Sequence, residues 1–195
     1  MKSRIFLEGP LGCGKSTLIR RTPGLNWTRA GGFVTQRVTD ADGGLAGFVL
    51  KPARLSACSA DTDAAYPFLT FGAAASRDDG VFRTEAVRLL REAESAPFAV
   101  LDELGGCELL IPEFFAALTR FLSTPTPCVG VLKSPAAADE LSNRLHLPES
   151  FIPARNRLYA MLRDDPGTLI LPTTGRGDAA AESILRRWAS QFAQG

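Results

Sequence analysis

The stretch from residue 9 to residue 17, GPLGCGKST, constrains the fold more than any other part of this sequence. It fits the pattern G-x-x-x-x-G-K-[ST] at every required position, and an apolar run at residues 5–7 precedes it. Good helix formers follow at residues 18–21. A strand, a glycine-rich loop and a helix in this order are typical of a phosphate-binding loop. The residues of this loop are Gly9, Pro10, Leu11, Gly12, Cys13, Gly14, Lys15, Ser16 and Thr17.

The chemistry of phosphate binding explains the residue types in this loop. The glycines let successive backbone N–H groups turn inward at the positive end of a helix, so main-chain donors hold a polyphosphate. Lys15 adds a point charge that can reach the β- and γ-phosphates, and the Ser16 hydroxyl is placed to bind Mg²⁺. Cys13 is interpreted as a small residue at a variable position, because no histidine or second cysteine lies nearby to activate it.

The composition predicts a globular chain with one domain over residues 1–195. Its 45% apolar and 22% charged residues suffice for one well-filled core. A net charge of +1 argues against a broad basic surface for nucleic acid. Residues 1–4 lead directly into the first strand, and no apolar run has the length of a membrane span, so we expect a cytoplasmic protein without a membrane partner. Reduced, mostly buried thiols are expected at Cys13, Cys58, Cys107 and Cys128.

Hydrophobic patterns predict strands that alternate with helices. Continuous apolar runs are typical of buried parallel strands, and periodic apolar positions are typical of amphipathic helices. The predicted strands are residues 5–7, 98–103, 128–132 and 168–171, and the predicted helices after the loop helix are residues 84–96, 112–122, 136–145 and 178–192, the last with Asp178 as its N-cap. This alternation predicts a three-layer α/β fold with a mostly parallel sheet, helices on both faces and a ligand at the C-terminal ends of the strands.

A β-hairpin is predicted as an insertion in this fold. Residues 33–39 and 45–50 carry β-branched and aromatic side chains, and the aspartates and glycines between them favour a turn. Residues 52–80, rich in Ala, Ser, Asp and Gly, are expected to form a loop and a short strand.

Two neighbouring carboxylates, Asp102 and Glu103, follow the apolar run at residues 98–101. A buried parallel strand delivers such residues to the edge of the sheet where the ligand binds. Asp102 occupies the place of an acid that holds Mg²⁺ directly or through water, and Glu103 is then placed to orient or deprotonate a water aimed at the γ-phosphate. Paired acids at this position favour hydrolysis.

Four stretches of the sequence carry a resemblance to a known family. They are residues 6–18, 32–35, 47–48 and 101–109. Asp102, Glu103, Gly105 and Glu108 match the pattern D-E-[IL]-G-x-x-E of the last stretch. Together these motifs, which cover most of the first 115 residues, resemble the small nucleoside-triphosphatases found from thermophilic prokaryotes to vertebrates.

The resemblance implies a P-loop NTPase fold close to that of nucleotide kinases. It also implies Mg²⁺-dependent hydrolysis of nucleoside triphosphates, including ATP and GTP, with little discrimination among bases. The sequence departs from the family in places. Many members carry Lys or Pro and then Met where this chain has Gly106 and Cys107, so an auxiliary basic contact at that point is in doubt. Arg37 precedes Val and Thr where acids are common, and the C-terminal third matches only loosely.

Several basic residues are further candidates for the site. An arginine can neutralise the charge that builds on the γ-phosphate during transfer, and Arg155 and Arg157 stand in a suitable order along the chain, although a solvated basic loop explains them equally well. Arg176, after the last predicted strand, is a candidate for stacking on the base. Lys133 is a similar candidate at the end of a strand. His146, the single histidine, is interpreted as a surface residue.

Two other functions use the same loop. A P-loop kinase transfers the γ-phosphate to a nucleoside, nucleotide or polynucleotide acceptor, and the hairpin and residues 52–80 could supply its acceptor pocket. A GTP-dependent switch normally carries the guanine-reading motif N-K-x-D, which is absent from this sequence. The sequence therefore favours a hydrolase and leaves the kinase open.

Overall fold

One mixed sheet forms the centre of the computed structural model, which describes residues 2–57, 65–72 and 76–193. Its strands within these residues are β1 (Arg4–Gly9), β2 (Ala30–Thr39), β3 (Leu45–Pro52), β4 (Tyr66–Thr70), β5 (Ser76–Arg77), β6 (Phe98–Leu104), β7 (Cys128–Lys133) and β8 (Thr168–Pro172). Their order across the sheet is β5-β4-β3-β2-β6-β7-β1-β8. The strands β2, β6, β7, β1 and β8 pair in parallel with one another across the sheet. The pairs β2–β3, β3–β4 and β4–β5 are antiparallel.

Helices cover both faces of the sheet. They are α1 (Lys15–Arg20), α2 (Asp79–Val81), α3 (Val87–Ala93), α4 (Pro112–Leu122), α5 (Pro135–Leu145), α6 (Phe151–Asp164) and α7 (Ala179–Phe192). A π-helical turn, Phe82–Ala86, joins α2 to α3, and short 3-10 turns lie at Trp27–Arg29, Ala53–Ala57 and Cys107–Leu110. None of the helices in the described part of the chain is both long and apolar enough for a membrane crossing.

The alternation of side chains along β1 shows how the three layers form. Phe6 packs in one core with α3, α4 and α6, whereas Ile5 and Leu7 pack in a second core with α1 and α7. Successive strand residues point to opposite faces, so apolar residues at adjacent positions require cover on both sides. The predicted α/β fold with helices on both faces is confirmed, and so is the N-cap at Asp178, whose side chain accepts a hydrogen bond from Ala181 N–H.

The hairpin extends the central sheet. The first part of β2, from Ala30 to Phe33, pairs in parallel with β6, and its remainder pairs antiparallel with β3. One long strand therefore joins the parallel sheet to the hairpin predicted from the sequence. β4 and β5 fall in the segment expected to hold a short strand, while residues 58–64 and 73–75, with Cys58 among them, lie outside the described residues.

Helix α6 was not predicted from the sequence. Pro153 lies in its first turn, where a backbone N–H has no acceptor within the helix, so proline is tolerated there. Phe151, Leu158 and Leu162 of this helix are buried, and both leucines belong to the core that also holds Phe6 of β1. The segment that carries Arg155 and Arg157 is therefore a packed helix and not a solvated loop.

Candidate active site

The C-terminal ends of β1, β6, β7 and β8 meet at one edge of the sheet. Gly9 at the end of β1 is in register with Lys133 of β7, and Glu8 is in register with Pro172 of β8. Leu104 at the end of β6 is in register with Leu132. The loops that follow these strands are brought together where open α/β sheets bind their ligands.

The phosphate-binding loop wraps around the ammonium group of Lys15. Gly12 and Gly14 adopt positive φ angles of 74° and 96°, which lets the loop turn tightly before α1. The Lys15 Nζ atom donates hydrogen bonds to the carbonyl oxygens of Gly9 at 2.9 Å and Pro10 at 2.7 Å. The Lys15 side chain is buried, so a charge is held inside the curve of the loop.

Ser16 and Asp102 face each other across the edge of the sheet. The Ser16 hydroxyl donates a hydrogen bond of 2.9 Å to Oδ1 of Asp102, and Asp102 is almost fully buried. Mg²⁺ binds oxygens octahedrally at about 2.0–2.1 Å, so two adjacent ligands lie about 2.9 Å apart. A serine hydroxyl and a carboxylate at this separation fit two adjacent positions around Mg²⁺.

The environment of Asp102 makes its ionised form costly. Burial raises the pKa of this carboxyl to about 7, and the negative charge of Glu103 adds to the rise. The Ser16 hydrogen bond and the positive charges of Arg20 and Lys133 partly oppose it. A buried carboxylate with few positive neighbours is suited to bind a cation, because a metal ion neutralises a negative charge that the low-dielectric interior would otherwise destabilise.

Glu103 combines an unusual backbone with a partly buried ion pair. Its φ angle is 64°, in the left-handed region that residues with a Cβ atom seldom adopt. Its Oε2 atom lies 2.8 Å from Nζ of Lys133. Burial alone would lower the pKa of Lys133, but the carboxylates of Glu103, Glu108 and Asp102 outweigh it and raise that pKa. Strained backbone positions of this kind cluster at functional sites.

Glu108 holds the turn that follows β6. Its Oε1 atom accepts hydrogen bonds of 2.8 Å from the N–H groups of both Gly105 and Gly106. Burial raises the pKa of Glu108, although these two hydrogen bonds oppose the rise. In the sequence Glu108 was only a motif position. The structure shows that its side chain accepts the backbone hydrogen bonds that hold the turn.

The loop after β8 lies directly on the phosphate-binding loop. Arg176 N–H donates a hydrogen bond of 2.9 Å to the Cys13 carbonyl, and Thr173 N–H donates one of 2.8 Å to the Glu8 carbonyl. A Cβ atom on Gly175 would lie 2.0 Å from the Cys13 carbonyl oxygen, so only glycine fits there. The structure thus brings the Arg176 backbone next to the phosphate-binding loop, and stacking of its side chain on a base stays a prediction.

The two arginines of α6 have different surroundings. Arg155 is buried and pairs with Asp139 of α5 at 2.6 Å, while its other nitrogens contact the Asn156 side chain. The Arg157 guanidinium lies over the ring of Phe115 in α4, 5.1 Å from its centroid. Arg155 therefore joins the two helices that follow β7, and Arg157 is engaged away from the phosphate-binding loop.

Tyr159 is a residue near the site that sequence reasoning missed. Its hydroxyl lies 2.6 Å from Oε1 of Glu8 and also contacts the carbonyl of Lys133. Burial raises the pKa of Tyr159, and the hydrogen bond to Glu8 adds to the rise, so the phenol keeps its proton. This contact ties α6 to the ends of β1 and β7. No local pattern could have indicated it, because 151 positions separate the two side chains.

A family model described as NTPase matches residues 4–157, which is most of the chain. The chain belongs to this NTPase family. The match contains the phosphate-binding loop, Asp102, Glu103 and Lys133, and it ends within α6. The resemblance to small P-loop NTPases is therefore confirmed. No curated protein sequence gives a significant match to the chain.

Two solved structures share the fold of this NTPase family member. The crystal structure of THEP1 from the hyperthermophile Aquifex aeolicus has a TM-score of 0.61 at 18% identity, with 97% of this chain and 98% of that chain covered. The solution structure of a human cancer-related nucleoside triphosphatase has a TM-score of 0.50 at 23% identity, with 83% of this chain and 98% of that chain covered. At such low identity these likenesses concern the fold.

Proposed function

We propose that the chain is an Mg²⁺-dependent nucleoside triphosphatase that converts nucleoside triphosphates to diphosphates and phosphate, with broad base specificity. The observation that carries this proposal is the contact between Ser16 and Asp102 beside Glu103. Membership of the NTPase family supports it. So does the fold shared with a human protein described as a nucleoside triphosphatase.

Each residue has a role that follows from its position. Backbone N–H groups of the phosphate-binding loop and the Lys15 ammonium hold the phosphates. Ser16 and Asp102 would hold Mg²⁺, which would supply positive charge to the bound triphosphate. Glu103 accepts a hydrogen bond from the attacking water, orients it and can take its proton, and Lys15 stabilises the charge that develops on the γ-phosphate.

Two arginines complete the proposed site. Arg176 contacts the bound nucleotide from the loop packed on the phosphate-binding loop. Arg155 assists transfer by leaving Asp139, whose side chain is 55% exposed, so the pair is weakened by solvent. Arg157 has no part in this proposal, since Phe115 holds it elsewhere.

Phosphate release without an acceptor tests the proposal. The purified full chain is incubated with Mg²⁺ and with ATP, GTP, CTP or UTP in turn, and inorganic phosphate is measured. Release from all four at comparable rates is expected. Absence of release, combined with transfer of labelled phosphate when nucleosides, nucleotides or polynucleotide ends are added, identifies a kinase and overturns the hydrolase proposal.

A further inference from the structure

Lys133 at the end of β7 forms an ion pair with Glu103, the residue to which the proposed function assigns water positioning. Nζ of Lys133 lies 2.8 Å from Oε2 of Glu103, and the Lys133 side chain is only 17% exposed. Lys133 is also close enough to Asp102 and Glu108 to influence both carboxylates. One ammonium group therefore stands among three carboxylates at the edge of the sheet.

The turn after β6 is shaped to admit the Lys133 side chain. A Cβ atom on Gly106 would lie 3.2 Å from Cε of Lys133 and 2.6 Å from Oε2 of Glu108. A Cβ atom on Gly105 would lie 3.4 Å from Cβ of Lys133, and the φ angle of Gly105 is 102°. Any larger residue at position 106 would compete with Lys133 for this space. The two glycines thus let a basic side chain from the neighbouring strand reach Glu103.

The ion pair fixes a side chain that the backbone alone would leave free to rotate. A glutamate side chain has several rotamers, and a group that orients water loses efficiency when it samples them. Lys133 engages Oε2 and leaves the second oxygen, Oε1, to accept a hydrogen bond from water. The left-handed backbone at Glu103 sets the direction in which the side chain leaves the chain, and the ion pair with Lys133 fixes the position of its carboxylate.

We propose that Lys133 is a positioning residue for hydrolysis, which holds the Glu103 carboxylate in the orientation that directs the attacking water. This inference rests on the proposed function. It assigns to a residue of β7 the auxiliary basic contact that the sequence put in doubt at Gly106 and Cys107. Because Lys133 acts through Glu103, its removal should affect the chemical step and leave nucleotide binding almost unchanged.

Steady-state phosphate release separates these effects. Lys133→Met removes the charge and keeps most of the side-chain volume, and kcat is expected to fall about tenfold with KM changed less than twofold. Lys2→Met is the matched control, because Lys2 is exposed near the opposite end of β1 and donates a hydrogen bond to the Pro166 carbonyl there. It should leave kcat unchanged. If Lys133→Met does not fold, as judged by circular dichroism, Lys133→Gln is measured with the same expectation.

Coupling to Glu103 is the decisive readout. In a Glu103→Gln background, which has already lost the water-orienting carboxylate, Lys133→Met is expected to reduce kcat less than twofold further. Multiplicative losses in the double variant, or a raised KM with unchanged kcat, overturn the inference. Wild-type protein that releases no phosphate overturns the proposed function itself, and a wild type that is active but insensitive to Lys133→Met overturns only the role of Lys133.

Discussion

The Ser16 hydroxyl and the Asp102 carboxylate are 86 positions apart in the chain and 2.9 Å apart in the structure. Parallel pairing within one sheet produces this contact, because the loop after β1 and the end of β6 emerge at the same edge. Asp102 is buried, which keeps its carboxylate away from competing water, while Ser16 is partly exposed. The contact therefore links the phosphate-binding loop to the acidic pair at the end of β6.

Lys15→Ala should weaken both nucleotide binding and turnover. The variant removes the only ammonium group among residues 9–17, and we expect a loss of affinity on the order of 100-fold. Isothermal titration with Mg²⁺ and a non-hydrolysable nucleoside triphosphate measures it. Lys2→Ala serves as the control for the loss of a lysine elsewhere. Unchanged affinity in Lys15→Ala would contradict the assignment of the loop.

Glu103→Gln should keep nucleotide affinity and lose turnover. The amide has the shape of the carboxylate but cannot accept a proton, so kcat is expected to fall on the order of 100-fold or more. Phosphate release at saturating nucleotide measures the loss. Glu113→Gln is a suitable comparison, since Glu113 pairs with Arg83 on the surface with half of its side chain exposed. Normal hydrolysis by Glu103→Gln would show that another group orients the water.

The raised pKa of Asp102 predicts that Asp102→Asn stabilises the protein in the absence of Mg²⁺ and nucleotide. The Asp102 carboxyl binds its proton more tightly in the folded state than in the unfolded state. The contribution of this proton to the free energy of unfolding is therefore complete below about pH 4 and is lost as the pH rises through about 7. Above pH 7 the asparagine variant should be more stable, by at most about 4 kcal/mol.

Urea unfolding at pH 8 and pH 5 checks this expectation for Asp102. The advantage of the variant should shrink at the lower pH, while its phosphate release should be lost at both. A variant less stable than the wild type at pH 8 would show that the buried carboxylate is already compensated by its protein neighbours.

The two motifs that could be predicted from the sequence are local in the chain. The phosphate-binding loop and the acidic pair each occupy a few consecutive residues, and the hydrophobic runs before them indicate the strands that carry them. The rules of parallel α/β folds also predict that both motifs lie at the same edge of the sheet, where the strands end.

What the sequence could not predict depends on register and on tertiary packing. The contacts of Lys133 with Glu103 and of Tyr159 with Glu8 require β7 and α6 to stand in one particular alignment with their neighbours. Helix α6 could not be predicted because of Pro153, since a proline indicates the end of a helix unless the helix is known to begin just before it.

Asp165→Asn should destabilise the fold in a pH-dependent manner. Burial opposes ionisation of Asp165, but the Thr168 hydroxyl, the Gly167 N–H and the Arg4 guanidinium at 2.7 Å together lower its pKa. Its contribution is therefore present above about pH 4 and is lost as the pH falls through the lowered pKa of the folded state. We expect a cost of about 1–2 kcal/mol at neutral pH.

Urea unfolding at pH 7 and pH 3 measures the effect of Asp165→Asn. The neighbouring Asp164 is exposed at the end of α6, so Asp164→Asn should change stability by no more than about 0.5 kcal/mol. Equal effects of the two variants at pH 7 would contradict a specific role for the Arg4 ion pair.

A pair of glycines in the loop after β8 tests whether this loop supports the phosphate-binding loop. Gly175 and Gly177 both have positive φ angles, 91° and 86°, so alanine at either position carries a similar backbone penalty of about 1–2 kcal/mol. Only Gly175 abuts the phosphate-binding loop: its Cβ would lie 2.0 Å from the Cys13 carbonyl oxygen, whereas nothing lies within 4 Å at Gly177. Gly175→Ala should therefore push residue 13 out of place and weaken nucleotide binding at least about tenfold. Gly177→Ala should lower the melting temperature without that loss of affinity, and equal affinities of the two variants for Mg²⁺ and a non-hydrolysable nucleotide would show that the two loops act independently.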